Sequence, residues 1–316
     1  MTTPDREDRL TWLAFATLVL VGSGNGVAIR FSNRELAPFY GAGLRFAIAS
    51  LLFFGMALIW RVDFPRGRAL LGALVFGILN YAAPFGFIYW ALLQVRAGQA
   101  QVILALIPLL TLLLAIAHRQ ERFRWSGIGG AILALFGVAT IFWSGTSRGG
   151  GAPLTSLAAI PVGAACIAEA AVLVKLFPRV HPASLNAVAM ALAAGVLLTI
   201  SAAAGERWTV PSRSETWIAL GFISVIGSVV VFSLFLYVLR RWLASRASYQ
   251  FVLFPIGAVV LSSLLDHEPL TLSLLLGGVL VISGVYVGSL ASSPARPDPQ
   301  TAGVADGLAP AAGQSE

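Results

Sequence analysis

Charge is scarce in this chain: only 11% of its 316 residues are Asp, Glu, Lys or Arg. A water-soluble domain of this size carries about twice that share, so an ordinary soluble fold is excluded. Cysteine is scarcer still. Cys166 stands alone inside an apolar run, which excludes an internal disulfide and a multi-cysteine zinc site. The three histidines, His118, His181 and His267, fall at helix ends with no convergent second ligand in sequence, which points away from a metal site. No cluster of His, Asp, Glu or Cys gathers at one interface and no phosphate-binding glycine loop is present. The marks of a membrane enzyme are therefore missing, and no cofactor is called for.

What is abundant is apolar surface: 58% of residues are hydrophobic and the mean hydropathy is +0.84. This describes a polytopic membrane protein whose surroundings are membrane lipids. The net charge of +7 arises from basic residues scattered singly or in short clusters between apolar runs, a pattern that orients helices rather than binding nucleic acid. Apolar stretches of about 20 residues predict ten helices: Leu10–Ile29, Pro38–Trp60, Ala69–Leu93, Ala97–Ala117, Trp125–Phe142, Pro153–Phe177, Pro182–Ala204, Glu215–Leu239, Ala244–Leu265 and Thr271–Leu290. The first follows MTTPDREDR and lacks a convincing small-residue cleavage site, so it reads as a retained span rather than a signal peptide. Residues 1–9 are expected to form a cytoplasmic N-terminus. Residues 291–316, rich in Pro, Ala, Gly and Ser, are expected to form a disordered cytoplasmic tail.

An internal match organises the ten helices. Without gaps, an offset of 147 residues pairs Pro108 with Pro255, Glu121 with Glu268 and Gly137 with Gly284. One five-helix unit is thus used twice, over 10–142 and 153–290. Five is odd, so equivalent helices must cross the membrane in opposite directions, and the loops agree. HRQERFR of the first half is basic, whereas its counterpart DHEPLT has no Lys or Arg. The expected fold is an all-α integral membrane protein of ten transmembrane helices in two inverted five-helix repeats. That architecture points to a secondary transporter; a receptor or scaffold that retains the fold without transporting is the alternative.

Several segments carry a family resemblance. GSGNGVAIRFSN at the end of the first helix, PFYGAGLRF opening the second, the repeated proline and glutamate, and ASRASYQFVLFP resemble the EamA-type transporters of the drug/metabolite transporter superfamily. The resemblance covers the chain to about Leu290. It implies a central cavity lined mainly by helices 1, 3, 4, 6, 8 and 9. It also implies export of a small-molecule solute, such as an amino acid, another metabolite or a toxic compound, across the inner membrane of a bacterium. The first helix departs from the pattern, with Gly22 and Ser23 where a tryptophan–glycine pair is common.

Candidate solute-binding residues are the polar groups at membrane depth: Asn25, Asn80, Tyr81, Gln101, Glu169, Ser228 and Tyr249. Tyr81, Phe85 and Tyr89 recur every four residues beside Asn80 and Pro84, a face suited to a small amphipathic solute or equally to lipid and interfacial packing. Gln99 and Gln101 open helix 4 as Ser248, Tyr249 and Gln250 open helix 9, at opposite membrane sides, as gate regions. Ser224 and Ser228 add hydroxyls on helix 8. Glu169 has two readings: a group that binds protons, the candidate coupling ion, or attracts cations, or a structural carboxylate paired with a cation such as Arg45 or Lys175. Arg45 is read as a structural anchor near helix ends. Glu121 and Glu268 are read as partners of helix N-termini.

With the N-terminus inside, fourteen Lys and Arg residues lie on the cytoplasmic side and six outside. Both termini are therefore expected in the cytoplasm. Reporter fusions after Gly151 and at the C-terminus should report opposite compartments; a shared compartment would remove the odd-span repeat.

Overall fold

The computed structural model of the protein describes residues 6–120, 125–146, 152–241, 249–265 and 271–287, and every regular element among them is helical. Glu121, Ser248, His267 and Glu268, and the chain from 288 onward, lie outside the described residues. The helices are α1 (Arg6–Ser23 and Asn25–Ser32), α2 (Pro38–Ile59), α3 (Arg68–Phe76, a π segment Gly77–Ala82, and Ala83–Ala91), α4 (Ala97–Leu104 and Ile107–Ala117) and α5 (Trp125–Thr146). There follow α6 (Leu154–Leu173), α7 (Pro182–Ala203), α8 (Ser214–Gly221, a π segment Phe222–Val230, and Val231–Arg241), α9 (Tyr249–Leu265) and α10 (Leu272–Val285). Seven stretches are long and apolar enough to cross a membrane. Trp125–Ile141, Gln250–Leu265 and Leu272–Val285 are shorter among the described residues.

In hydrocarbon, helices associate through close packing rather than through a hydrophobic force, so small residues mark their contacts. α5 and α10 meet on glycines. A Cβ on Gly137 would lie 2.7 Å from Gly277 O and Val281 N, and one on Gly284 would lie 2.6 Å from Gly130 O and 2.5 Å from Ala134 N. Residues 130, 134 and 137 match 277, 281 and 284 at the 147-residue offset, so the two contacts are images of each other. Numbers rise along one helix as they fall along its partner, so the pair is antiparallel. α2 and α7 pair in the same sense, with Gly43 against Leu198 and Trp60 edge-on to His181 at 6.1 Å. The remaining principal contacts exchange in the same way: α3 packs on α6 as α8 packs on α1, and α4 on α6 as α9 on α1. Even the π segments correspond, because Gly77–Ala82 displaced by 147 falls inside Phe222–Val230.

One face of the bundle is clasped by reciprocal capping. Pro38 contributes no N–H to the start of α2, and the next amides, of Phe39 and Tyr40, donate to Glu206 at 3.3 and 2.9 Å. In return Glu35, from the loop before α2, accepts the amides of Ser212 (3.2 Å) and Arg213 (3.1 Å) and the hydroxyls of Thr216 (2.6 Å) and Ser212 at the start of α8. Tyr40 stacks on Trp208 at 5.3 Å. The Arg34–Glu215 ion pair at 3.1 Å is exposed, a setting worth about 0–1 kcal/mol. The clasp therefore rests on the caps.

Those hydroxyls, Ser212 first and Thr216 next, hold the Glu35 carboxyl at about 2, below its ordinary value of 4.5. A depressed folded value means that the contribution is complete above about pH 4.5 and is lost as pH falls toward 2. Thermal unfolding of the detergent-solubilised protein should show the parent losing stability through that window while Glu35→Gln does not. Identical acid profiles would remove Glu35 from the clasp. At the α5–α10 contact, Gly137→Ala forces backbone apart and should destabilise by about 1–3 kcal/mol. Gly129→Ala, whose Cβ meets nothing within 4 Å, should cost nothing.

Candidate functional site

The polar side chains of the interior collect where helices are interrupted. α1 breaks at Gly24: Ser23 Oγ turns back to Val19 O at 2.7 Å, and Gly22 and Gly257 let α1 and α9 approach through Phe254 and Ser23. Asn25 opens the second half of α1 with its Oδ1 buried against Gly227, where any Cβ would collide with it. Gly227 lies in the π segment of α8. In that segment Ser228 Oγ donates to Ile223 O at 2.9 Å, a span of five residues fitting the π geometry.

Arg45 reaches the same segment from α2. Its Nε donates to Ser228 Oγ at 3.0 Å and its Nη2 to Gly227 O at 3.2 Å, and the residue is 1% exposed. The guanidinium lies 4.7 Å from the Phe85 ring and 5.4 Å from the Phe46 ring. Sequence reasoning left Arg45 either snorkelling outward or bonded to nearby helix ends, with anchoring favoured; its partners lie in the middle of α8.

α3 supplies the third wall. Tyr81 is fully buried, its hydroxyl donating to Asn186 Oδ1 of α7 at 2.9 Å and its ring meeting Phe46, Phe76 and Phe232 at 5.3 to 5.6 Å. Asn80, half-buried, lies beside the same phenol. Tyr89 is also fully buried, not at a lipid interface; its hydroxyl lies beside the Arg45 guanidinium, with no well-formed hydrogen bond. Gln101, on α4, is 8% exposed, and its amide nitrogen lies 3.1 Å from where a Cβ on Gly26 would be. The structure thus gathers Asn25, Tyr81 and Ser228 around Arg45, with Asn80 beside Tyr81 and Gln101 against Gly26, the residue after Asn25. Tyr249 is the first described residue of α9, and its side chain lies outside the described residues.

Glu169 stands elsewhere. Its Oε1 is 3.1 Å from His118 Nε2, at the end of α4, about 25 Å along that helix from Gln101. Its partner is neither Arg45, which α8 occupies, nor Lys175, which lies in the 3₁₀ turn ending α6. His118 Nδ1 faces Leu114 O at 2.9 Å. A carbonyl can only accept, so Nδ1 is the donor in this contact, and the opposite ring nitrogen faces the Glu169 carboxyl. Asn186 and the His118–Glu169 pairing escaped sequence reasoning. A lone amide in PASLNAVAM was the only sign of the first.

The chain matches the EamA-like transporter family over residues 10–143 and 155–290. An uncharacterized transporter of Archaeoglobus fulgidus is 30% identical over 87% of this chain and 97% of its own length. The uncharacterized inner membrane transporter YedA of Escherichia coli is 29% identical over 86% of this chain and 88% of its own. A probable terminal-alkyne amino-acid exporter of Streptantibioticus cattleyicolor is 30% identical over 50% of this chain and 48% of its own. One solved crystal structure superposes with a TM-score of 0.66 at 20% identity, covering 90% of this chain and 98% of that one, which speaks for the fold alone. Matched over both halves, this multi-pass membrane protein belongs to the EamA-like transporter family.

Proposed function

We propose that the protein is a secondary transporter exporting small metabolites, amino acids or related solutes among them, or toxic compounds, across the inner membrane of a bacterium by alternating access. In this reading ten helices form two inverted five-helix repeats and both termini are cytoplasmic. The observation that carries it is the antiparallel pairing of equivalent helices, α5 with α10 through matching glycines and α2 with α7. Equivalent helices that run in opposite directions give each half the same contacts seen from opposite sides of the membrane. A central site can then be opened to either side by exchanging the two packings. The amino-acid exporter among the relatives supports the solute class.

Protons are the proposed coupling ion, and the His118–Glu169 pair is where one is held. Glu169→Gln keeps the shape and removes the titration. In proteoliposomes it should reduce solute accumulation driven by a pH gradient while leaving flux down a solute gradient near that of the parent. Equal behaviour of parent and variant in both regimes would leave Glu169 a structural carboxylate. Absence of flux for every amino acid and toxic cation tested would sink the transport reading itself.

A further inference from the structure

We infer that Arg45 is the docking point for a carboxylate on the solute, so that the transporter selects carboxylate-bearing solutes, α-amino acids foremost; this rests on the transport reading above. The first reason is an unbalanced charge. Arg45 is 1% exposed, no Asp or Glu among the described residues pairs with it, and both of its hydrogen-bond acceptors are neutral. A cation taken out of water without a counter-ion is strongly unfavourable, and buried charges are ordinarily paired. The second reason is the division of labour within the guanidinium. Nε and Nη2 fasten α2 to Gly227 and Ser228, while Nη1 is buried and donates to nothing. A residue needed only as a pin between α2 and α8 leaves no such donor over, since buried donors are almost always matched.

The neighbouring orphan groups say what fits. The Tyr89 hydroxyl is buried beside the guanidinium, close enough to interact with it but without a well-formed hydrogen bond. Arg45 Nη1 and the Tyr89 O–H are donors, the complement of a carboxylate's two oxygens. Against Gly227, Asn25 Oδ1 is a buried acceptor with nothing to accept, and Ser224 Oγ, one turn before Ser228, is unpartnered as well. Buried acceptors and donors that meet at Gly227 and Ser228 suit an ammonium beside a carboxylate, which is the head group of an amino acid. The Phe46 and Phe85 rings over the guanidinium exclude water and strengthen its attraction for an anion. Arg45 is closed off here, so the solute enters when α1 and α8 part, the kind of movement alternating access requires.

The test uses the purified full-length chain and needs no variant to begin. Each standard L-amino acid is screened for a rise in melting temperature, and any that acts is compared with its amide and its decarboxylated amine. The expected result is that at least one amino acid binds and that its two derivatives bind about 10- to 100-fold more weakly. Arg45→Gln should abolish the discrimination and Arg45→Lys restore part of it; if Arg45→Gln fails to fold, the comparison on the parent decides. Binding by no amino acid, equal binding of acid, amide and amine, or discrimination that survives in Arg45→Gln would each overturn the proposal. Flux in proteoliposomes separates it from the transport reading. Carboxylate-dependent binding without flux keeps the docking point and sinks transport, whereas flux indifferent to the carboxylate keeps transport and sinks the docking point.

Discussion

A backbone that crosses hydrocarbon must satisfy its hydrogen bonds internally, and each place where this chain departs from a regular helix is therefore a place where something else takes over. Among the described residues the departures inside the spans include the break at Gly24, the π segment Gly77–Ala82, the break at Ala105–Leu106 before Pro108, and the π segment Phe222–Val230. Several interior polar residues lie at or within a turn of them. Asn25 follows the first, Asn80 and Tyr81 lie in the second, Gln101 precedes the third, and Ser224 and Ser228 lie in the fourth. At the last of these the freed Gly227 carbonyl is taken by Arg45. The interruptions thus do two jobs at once: they expose backbone polarity within the membrane, and they bring in the side chains that make such exposure tolerable.

Between the interruptions the helices are held by contact alone. Large apolar side chains such as Leu20 and Ile59 are 71 and 79% exposed, as a lipid-facing surface requires. What remains is the fit of glycine against backbone at α5–α10, and polar caps at the clasped face. Each cap fixes the start of a helix in one half with a carboxylate from the other: Glu206 for α2, Glu35 for α8. The halves are thereby cross-linked at one end by bonds that can be exchanged with water.

Much of this was legible in the sequence, and the limits have physical causes. Helix positions could be read because a span needs about 20 apolar residues, and the repeat because glycines and prolines kept their spacing. The breaks could not. Pro108 and Pro255 are equivalent by sequence, yet α4 opens before Pro108 while α9 runs through Pro255 unbroken. A proline removes one ladder bond in either setting, and whether the helix then opens depends on neighbours that no local pattern reveals. Glu169 was recognised as exceptional, but its partner is 51 residues away on another helix, nearer candidates being turned aside by the helix end at Lys175. Arg45 was visible as a charge in a span; that it would meet Gly227 and Ser228 depends on α2 and α8 crossing at that depth.

The repeat also shows how a symmetric scaffold acquires an asymmetric site. At the 147-residue offset Tyr81 corresponds to Ser228, Asn80 to Gly227 and Gly77 to Ser224, all within the matching π segments. The backbone geometry is shared, but the side chains divide the work. Tyr81 fills space among three phenylalanines and fastens α3 to α7 through Asn186. Ser228 and Gly227, small by comparison, leave room for Arg45 and Asn25 to come in from α2 and α1. Had both segments carried the large residues, the interior would be packed on both sides and hold no free polar atom. Had both carried the small ones, two guanidinium-sized spaces would face each other across the axis. One of each sets the polar groups brought in from α1 and α2 against an aromatic wall built around Tyr81.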